Sequence, residues 1–225
     1  EYLRFNGTTY SFADLYSGAA AQGDGNAPVF TSPASASVAE NTSGTVYTAT
    51  ATDTDTPVTF ALGSSKDEGL FSITSSGVLS FSSAPDFEAP ADSYGVAGDN
   101  LYQVDIIATD NVGSQSTQSL DLSVTNINDN APTITSSSNL SVQTGVTGTI
   151  YTASATDADG DTATFSLGSA KDESLFNITA NGALSFINPP DYNNPTDAYG
   201  TPGDNIYQVD IIADDGNQSD TQEVS

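Results

Sequence analysis

A stretch of about a hundred residues occurs twice in this chain, and the register between the two copies constrains the fold more than composition does. Tyr47-Thr48-Ala49-Thr50-Ala51-Thr52-Asp53-Thr54-Asp55 matches Tyr151-Thr152-Ala153-Ser154-Ala155-Thr156-Asp157-Ala158-Asp159, 104 positions on. Phe60-Ala61-Leu62-Gly63-Ser64-Ser65-Lys66-Asp67-Glu68 then matches Phe165-Ser166-Leu167-Gly168-Ser169-Ala170-Lys171-Asp172-Glu173 at 105, so one residue is inserted between the two segments. The second offset persists through Pro85-Asp86-Phe87 against Pro190-Asp191-Tyr192, and through Gly98–Ala108 against Gly203–Ala213. A tandem repeat of this length predicts two successive units of ordinary domain size.

Each copy consists of short runs of β-branched and aromatic residues in period-two alternation, punctuated by Gly, Asp, Asn and Pro, and nothing sustains a helical period. The unit is all-β. In copy one the pattern predicts strands near 34–39, 45–52, 57–62, 70–74, 77–81, 101–109 and 116–125, the count and size of a seven-stranded Greek-key sandwich. Copy two follows with its last strand cut short, because Ser225 falls opposite Asp121. Thr48, Thr50, Thr52, Thr54 and Thr56 alternate with Tyr47, Ala49 and Ala51 and read as the watered face of one strand. The same alternation places Tyr102 and Tyr207 in the core. Residues 1–26 stand outside the repeat: Tyr2–Phe5, Asn6-Gly7 and Thr8–Phe12 carry the signal of a two-residue hairpin, and Ala13–Ala21 predicts a short helix, together a cap or the tail of a preceding module. The expected domains are 1–26, 27–130 including a linker, and 131–225.

Charge narrows the function. Arg4, Lys66 and Lys171 are the only basic residues against 29 carboxylates, a formal net charge of -26. Such a surface repels phosphate backbones and anionic lipid headgroups and attracts cations, so nucleic acid and direct membrane insertion are excluded as partners. With no Cys and no His there is no disulfide, no thiolate or imidazole metal ligand and no imidazole proton relay. Apolar residues make up 36%, and no run approaches the 18 or more consecutive apolar residues of a membrane span. The chain begins at Glu1 with neither Met nor an apolar targeting segment, which predicts that it is a piece of a longer protein.

The informative acids sit at strand ends: Glu40, Asp53, Asp55, Asp86, Glu88 and Asp110 in copy one. Between the copies runs Asn126-Ile127-Asn128-Asp129-Asn130-Ala131-Pro132, in which side-chain and backbone oxygens alternate and Pro132 keeps the chain extended. Calcium takes six to eight oxygen ligands at about 2.3–2.6 Å, and a linker of this kind offers them to two neighbouring sites. Other acids, among them Asp67, Glu68, Asp92, Asp99, Asp105, Asp172 and Asp204, read as solvated surface, with Asp92 and Asp99 a conceivable ion site in the loop that they flank. A carboxylate pair could run glycoside hydrolysis, but no cleft-lining aromatics accompany these acids, so catalysis is not expected.

Taken in order, Ala39-Glu40-Asn41, Asp53-x-Asp55, Pro85-Asp86-Phe87-Glu88, Ala108-Thr109-Asp110 and Asn126-x-Asn128-Asp129-Asn130-Ala131-Pro132 resemble the calcium motifs of cadherin repeats, over residues 27–225. The segment Glu88–Asn100, rich in Pro, Gly and Asp, is similar to the cadherin-like repeats of large bacterial surface adhesins rather than to those of animal cadherins. The resemblance implies two tandem seven-stranded, cadherin/immunoglobulin-like β-sandwiches joined by a calcium-binding linker. It implies about three calcium ions at the junction, held by Glu40, Asp86 and Glu88 of copy one, by Asn126, the Ile127 carbonyl, Asn128, Asp129 and the Asn130 carbonyl of the linker, and by Asp157, Asp159 and Asp215 of copy two. Asn126 stands where the family usually has Asp, which removes a charge; Asp161 and Asp214 are further acids nearby. At the head of copy one, Asp24-Gly25-Asn26-Ala27-Pro28 imitates the linker, and Asp24, Asn26, Asp53, Asp55 and Asp110 imply one more ion. At the far end of copy two Thr144 replaces Glu40, Asn193 replaces Glu88 and Asp191 alone is retained, which implies a calcium-poor, flexible junction.

The function so implied is a calcium-stiffened segment of an extracellular, cell-surface adhesin, with calcium and neighbouring repeats of the same chain as partners. It serves either as a spacer or, alternatively, as a surface that is itself adhesive through homotypic or glycan contacts. The chain has no Trp, so the Trp-anchored strand exchange of the best-known animal cadherins is not expected.

Overall fold

Burial alternates residue by residue along the longest strands. In Leu101–Thr109, Tyr102, Val104, Ile106 and Ala108 point inward and are fully buried, with Gln103 and Asp105 on the outer face; in Gln115–Thr125 the inward set is Leu120, Leu122 and Val124. The computed structural model describes residues 2–5, 8–11 and 25–225, divided into two compact units, Glu1–Asn126 and Ile127–Ser225.

In the first unit one sheet has the order Ser35–Ala39, Gln115–Thr125, Leu101–Thr109, Thr59–Leu62. Its pairings are antiparallel except the first, in which Ser35–Ala39 runs parallel to Gln115–Thr125. A second sheet joins Thr45–Thr48, Val78–Phe81 and Phe71–Ile73, and Val29–Phe30 pairs with Ala51–Thr52. The second unit repeats the plan with Thr164–Leu167, Val209–Asp214 and Ser219–Val224 in one sheet, Tyr151–Thr152, Ala183–Phe186 and Phe176–Ile178 in another, and Thr133–Ile134 against Ala155–Thr156. Before the repeat, Tyr2–Phe5 pairs antiparallel with Thr8–Ser11, Phe5 opposite Thr8. The helix expected over 13–21, and Asp24, lie outside the described residues.

The strand expected at 45–52 is two strands. The Ala49 N–H donates to Gly77 O at 2.8 Å, whereas Thr50 O accepts from the Thr31 N–H at 2.8 Å, so the chain changes partners between these residues. The crossing needs glycine: Gly77 has φ +91°, and a Cβ there would stand 2.3 Å from Ala49 O. Gly182, with φ +83°, meets Ala153 O in the same way at 2.6 Å.

Each core centres on an aromatic trio. Tyr102 meets the edges of Phe71 and Phe81 with centroids 6.0 and 5.0 Å away, and Tyr207 meets Phe176 and Phe186 at 6.0 and 5.1 Å. Such edge-to-face contacts add about 0.5–1.5 kcal/mol each to the burial of the rings. The Thr face beside Tyr47 and Ala49 is exposed, as the alternation predicts.

Several acids expected on the solvated surface are buried instead. Asp67 is 2% exposed, Asp92 4%, and Glu68 and Asp172 are likewise buried. Their carboxylates serve loop N–H groups and, at Gln103 and Asp105, N–H groups of the strand Leu101–Thr109 that lie beyond its pairing with Thr59–Leu62. Asp67 Oδ1 accepts from Ser93 and Tyr94 at 2.9 and 3.0 Å and its Oδ2 from Gln103 at 2.9 Å. Glu68 accepts from the Lys66 and Asp105 N–H groups at 2.6 and 3.0 Å. Asp92 accepts from Gly98, Asp99 and Asn100 at 2.8, 3.3 and 3.1 Å, so both its oxygens are spent on the backbone rather than held for an ion. Asp172, Glu173 and Asp197 repeat these roles in the second unit. Asp99 and Asp204 remain exposed.

Asp105, expected on the solvated surface, is ion-paired: Lys66 Nζ lies 2.8 Å from Asp105 Oδ1 and 5.5 Å from the Tyr94 ring centroid. The Lys66 hydrogen bond holds the Asp105 carboxyl below its ordinary 3.8, and the Asp105 hydrogen bond holds the Lys66 ammonium above its ordinary 10.5. The depressed acid contributes stability above 3.8 that is lost as pH falls through its folded value; the raised base contributes below 10.5 and loses it as pH rises through its own. A Lys66→Met variant is therefore expected to be less stable than the parent by about 1 kcal/mol between roughly pH 5 and 10, with the difference closing towards pH 2, read from urea midpoints.

Candidate metal centre

The head of the first unit is built where strands stop. Ala51–Thr52 ends one residue before Asp53, and Leu101–Thr109 ends one residue before Asp110. Asp53 Oδ1 accepts the Asp55 N–H at 2.7 Å, which turns the chain back and brings both carboxylates to one side. Asp110 Oδ1 accepts three successive N–H groups, from Val112, Gly113 and Ser114, at 2.9, 2.6 and 2.8 Å. One ligand oxygen from each of Asp53, Asp55 and Asp110 lies within 4.8 Å of the others. Asp110 is only 6% exposed, and its Oδ2 is buried and accepts no hydrogen bond. Burial pushes the Asp110 carboxyl up, and the backbone N–H groups more than offset it, so the group stays below the ordinary carboxylate value and holds its charge at neutral pH. The described Lys side chains bind elsewhere: Lys66 pairs with Asp105, Lys171 with Asp210 and Glu223. A buried anionic oxygen beside two more carboxylates fits a hard, oxygen-loving cation. Asn26 is exposed at the entry to this unit.

The head of the second unit repeats the turn and adds the linker. Asp157 Oδ1 accepts the Asp159 N–H at 2.9 Å. Asp159 Oδ2 accepts the N–H groups of Asp129 and Asn130 at 3.0 and 2.8 Å, and Asn130 Nδ2 reaches Asp159 Oδ1 at 3.2 Å. Asp215 Oδ1 accepts from Asn217 and Gln218, each at 2.7 Å, and these backbone hydrogen bonds hold its carboxyl below the ordinary value. Asp157 Oδ2, Asp215 Oδ2 and Asn128 Oδ1 are buried and accept no hydrogen bond. Two residues outside the expected set complete the linker's seat: Asn217 Nδ2 donates to Asn128 O at 2.6 Å, and Gln218 Nε2 donates to Asp129 O. The corresponding turn of copy one is one residue longer and has no such amide pair, so the repeat gave no signal for them. Asp161 is exposed, as is Asp214, whose Oδ1 accepts the Gly216 N–H.

At the base of the first unit Glu40 is 3% exposed and its Oε2 accepts the Phe87 N–H at 2.8 Å. Asp86 is exposed, with Oδ1 accepting from Glu88 and Ala89 at 3.0 Å each, and Glu88 is half-buried. The second unit keeps this corner without its charge. Thr144 Oγ1 accepts the Tyr192 N–H at 3.2 Å and donates to Pro190 O at 3.1 Å, while Asp191 Oδ1 accepts from Asn193 at 2.9 Å.

No known protein-family pattern and no curated protein matches the chain. Solved structures do. The EC1–2 segment of human protocadherin-24 aligns over 89% of this chain and 94% of its own at 22% identity, with a TM-score of 0.63. Mouse cadherin-23 EC22–24 aligns over 88% of this chain and 63% of its own at 21% identity and TM-score 0.65, and Drosophila N-cadherin EC1–4 over 88% and 48% at 22% and 0.64. The fold is that of tandem cadherin repeats. At this identity the likeness extends to the cadherin-like fold, and the acid cluster of Asp53, Asp55 and Asp110 is a property of this chain's own residues.

Proposed function

We propose that the chain is a calcium-binding pair of cadherin-like repeats from the extracellular part of a cell-surface adhesin of the bacterial type, a binding and structural segment rather than an enzyme. The observation that carries this reading is Asp110: a buried carboxylate with one oxygen fixed by three backbone N–H groups and the other bare beside Asp53 and Asp55. Asp157, Asp159 and Asp215 recur in the same order in the second unit, where the linker N–H groups of Asp129 and Asn130 donate to Asp159 Oδ2. The proposed ligands are Asp53, Asp55 and Asp110 with Asp24 and Asn26 for one ion. For about three more, the linker from Asn126 to Asn130 acts with Glu40, Asp86 and Glu88 on one side and Asp157, Asp159 and Asp215 on the other.

Calcium supplies the positive charge that cancels repulsion among these carboxylates. The residues do the rest: the Asp53-x-Asp55 and Asp157-x-Asp159 turns preset the acids, and Asn217 and Gln218 hold the linker carbonyls. Ligands drawn from both repeats on shared ions would stiffen the linker, so the pair serves as a rod that projects some other part of the adhesin. Thr144 and Asn193 carry no charge, so the far end of copy two would bind calcium weakly and flex. The loop Glu88–Asn100, present again as Asn193–Asn205 and pinned by Asp92 and Asp197, supports the bacterial-type assignment through its likeness to adhesin repeats.

Analytical ultracentrifugation across a concentration series tests the spacer role. A monomer is expected with and without calcium, sedimenting differently in the two because of the change in stiffness. A reversible calcium-dependent dimer would instead make the surface itself adhesive.

A further inference from the structure

One turn of the second unit serves two masters. Asn217 and Gln218, in the turn between Val209–Asp214 and Ser219–Val224, cap the Asp215 carboxylate through their backbone N–H groups, each 2.7 Å from Oδ1. Their side-chain amides donate to the linker instead, Asn217 Nδ2 to Asn128 O at 2.6 Å and Gln218 Nε2 to Asp129 O. The linker's own N–H groups are taken up by Asp159, whose Oδ2 accepts from Asp129 and Asn130. Backbone groups of three successive linker residues are thus fixed to one repeat, and the chain from Ile127 onward belongs to the second compact unit. Asn217 and Gln218 are both exposed, so their side chains add little to the core that they flank.

The seat bears directly on Asn128. Its carbonyl is held by Asn217, and its side-chain amide lies against the Asp215 carboxylate, where it helps to keep that carboxyl below the ordinary value. Asn128 Oδ1 is left buried without a donor, as are Asp157 Oδ2 and Asp215 Oδ2. Buried oxygens in that state cost free energy that a cation would return. Copy one uses the amides of its matching turn differently. Asn111 Nδ2 donates to Thr56 O at 2.7 Å and Gln115 Nε2 to Thr109 Oγ1 at 3.0 Å, both inside the repeat itself. The paired amide seat is therefore a feature of the second repeat and not of the repeat plan.

We propose that Asn217 and Gln218 are positioning residues that seat the linker on the second repeat before any calcium arrives, and so hold Asn128 Oδ1 beside Asp157 and Asp215 as a ready-made ligand set. The use of that set rests on the calcium reading above; the seating does not. Groups that orient a metal ligand without touching the ion are worth about 10–100-fold in affinity.

The test uses the 225-residue chain as parent and as the double variant Asn217→Ala with Gln218→Ala, with Gln115→Ala as the control on the matching turn of copy one. In chelated protein, amide exchange at Asp129 and Asn130 should be slowed in the parent and the control. The double variant should speed it at least about tenfold, while exchange at Ile211 and Ala213 in the core stays at the parent rate. In a calcium titration followed by amide NMR shifts, half-saturation at Asp215 should move about tenfold or more to higher calcium in the double variant, and that at Asp110 should stay where it was. Linker amides that exchange like free peptide in the chelated parent would overturn the proposal, as would protection or half-saturation that the double variant leaves unchanged. Slowed linker amides in a parent whose Asp215 does not respond to calcium would uphold the seating and overturn the metal assignment instead.

Discussion

Replacement of Asp67 by Ala is expected to destabilise the first unit by about 4 kcal/mol, a large part of what a domain of this size has. Asp67 lies at the centre of the loop between the sheets: it is itself buried, and its two oxygens serve the N–H groups of Ser93, Tyr94 and Gln103 in part-buried hydrogen bonds. Alanine removes the acceptors and leaves three donors without partners, each costing on the order of 1–3 kcal/mol. Asp67→Asn keeps one acceptor oxygen and should fall between the two. Asp172→Ala should do the same to the second unit, because Asp172 serves Ala198, Tyr199 and Gln208. Denaturant melts give the magnitude, and amide exchange at Ser93 and Tyr94 gives the location. A loss under about 1 kcal/mol would mean that water replaces the carboxylate easily.

Calcium is expected to raise the melting temperature of chelated protein by about 10 °C or more at 10 mM. Extracellular modules of this kind bind at about 10⁻⁴–10⁻³ M, and at a hundredfold excess over the dissociation constant each site adds about 2.7 kcal/mol to the folded form. For a unit of this size 1 kcal/mol moves the midpoint by roughly 4–8 °C. Magnesium should do less, since its smaller octahedral shell suits a set of carboxylates and carbonyls poorly. Sodium chloride at matched ionic strength is the decisive control: an equal rise would show that the acids are merely screened.

The repeat made the architecture legible, because register between two copies separates strand from turn better than one copy alone. The sandwich, the inward Tyr102 and the exposed Thr face follow directly from period-two alternation. The partner switch at Ala49–Thr50 did not, since alternation runs unbroken through it and only the close approach of Gly77 marks it. Pairing of Val29–Phe30 was also missed, as two residues after Pro28 carry too little pattern. Among the acids, motif order singled out Asp53, Asp55 and Asp110, which converge in one head. It failed for Asp67, Glu68, Asp92 and Asp172, because a buried carboxylate that satisfies loop amides and a solvated one look alike in sequence. The recurrence of Asp67 as Asp172 and of Asp92 as Asp197 was the available clue.

The most direct measurement is a count of bound calcium by equilibrium dialysis of chelated protein, at fixed ionic strength, on the parent and on Asp110→Asn. About four saturable ions per chain are expected, with one lost in the variant and the others retained. Calcium uptake no greater than the counterion background of a polyanion, or a count that Asp110→Asn leaves unchanged, would contradict the assignment of these carboxylates as metal ligands.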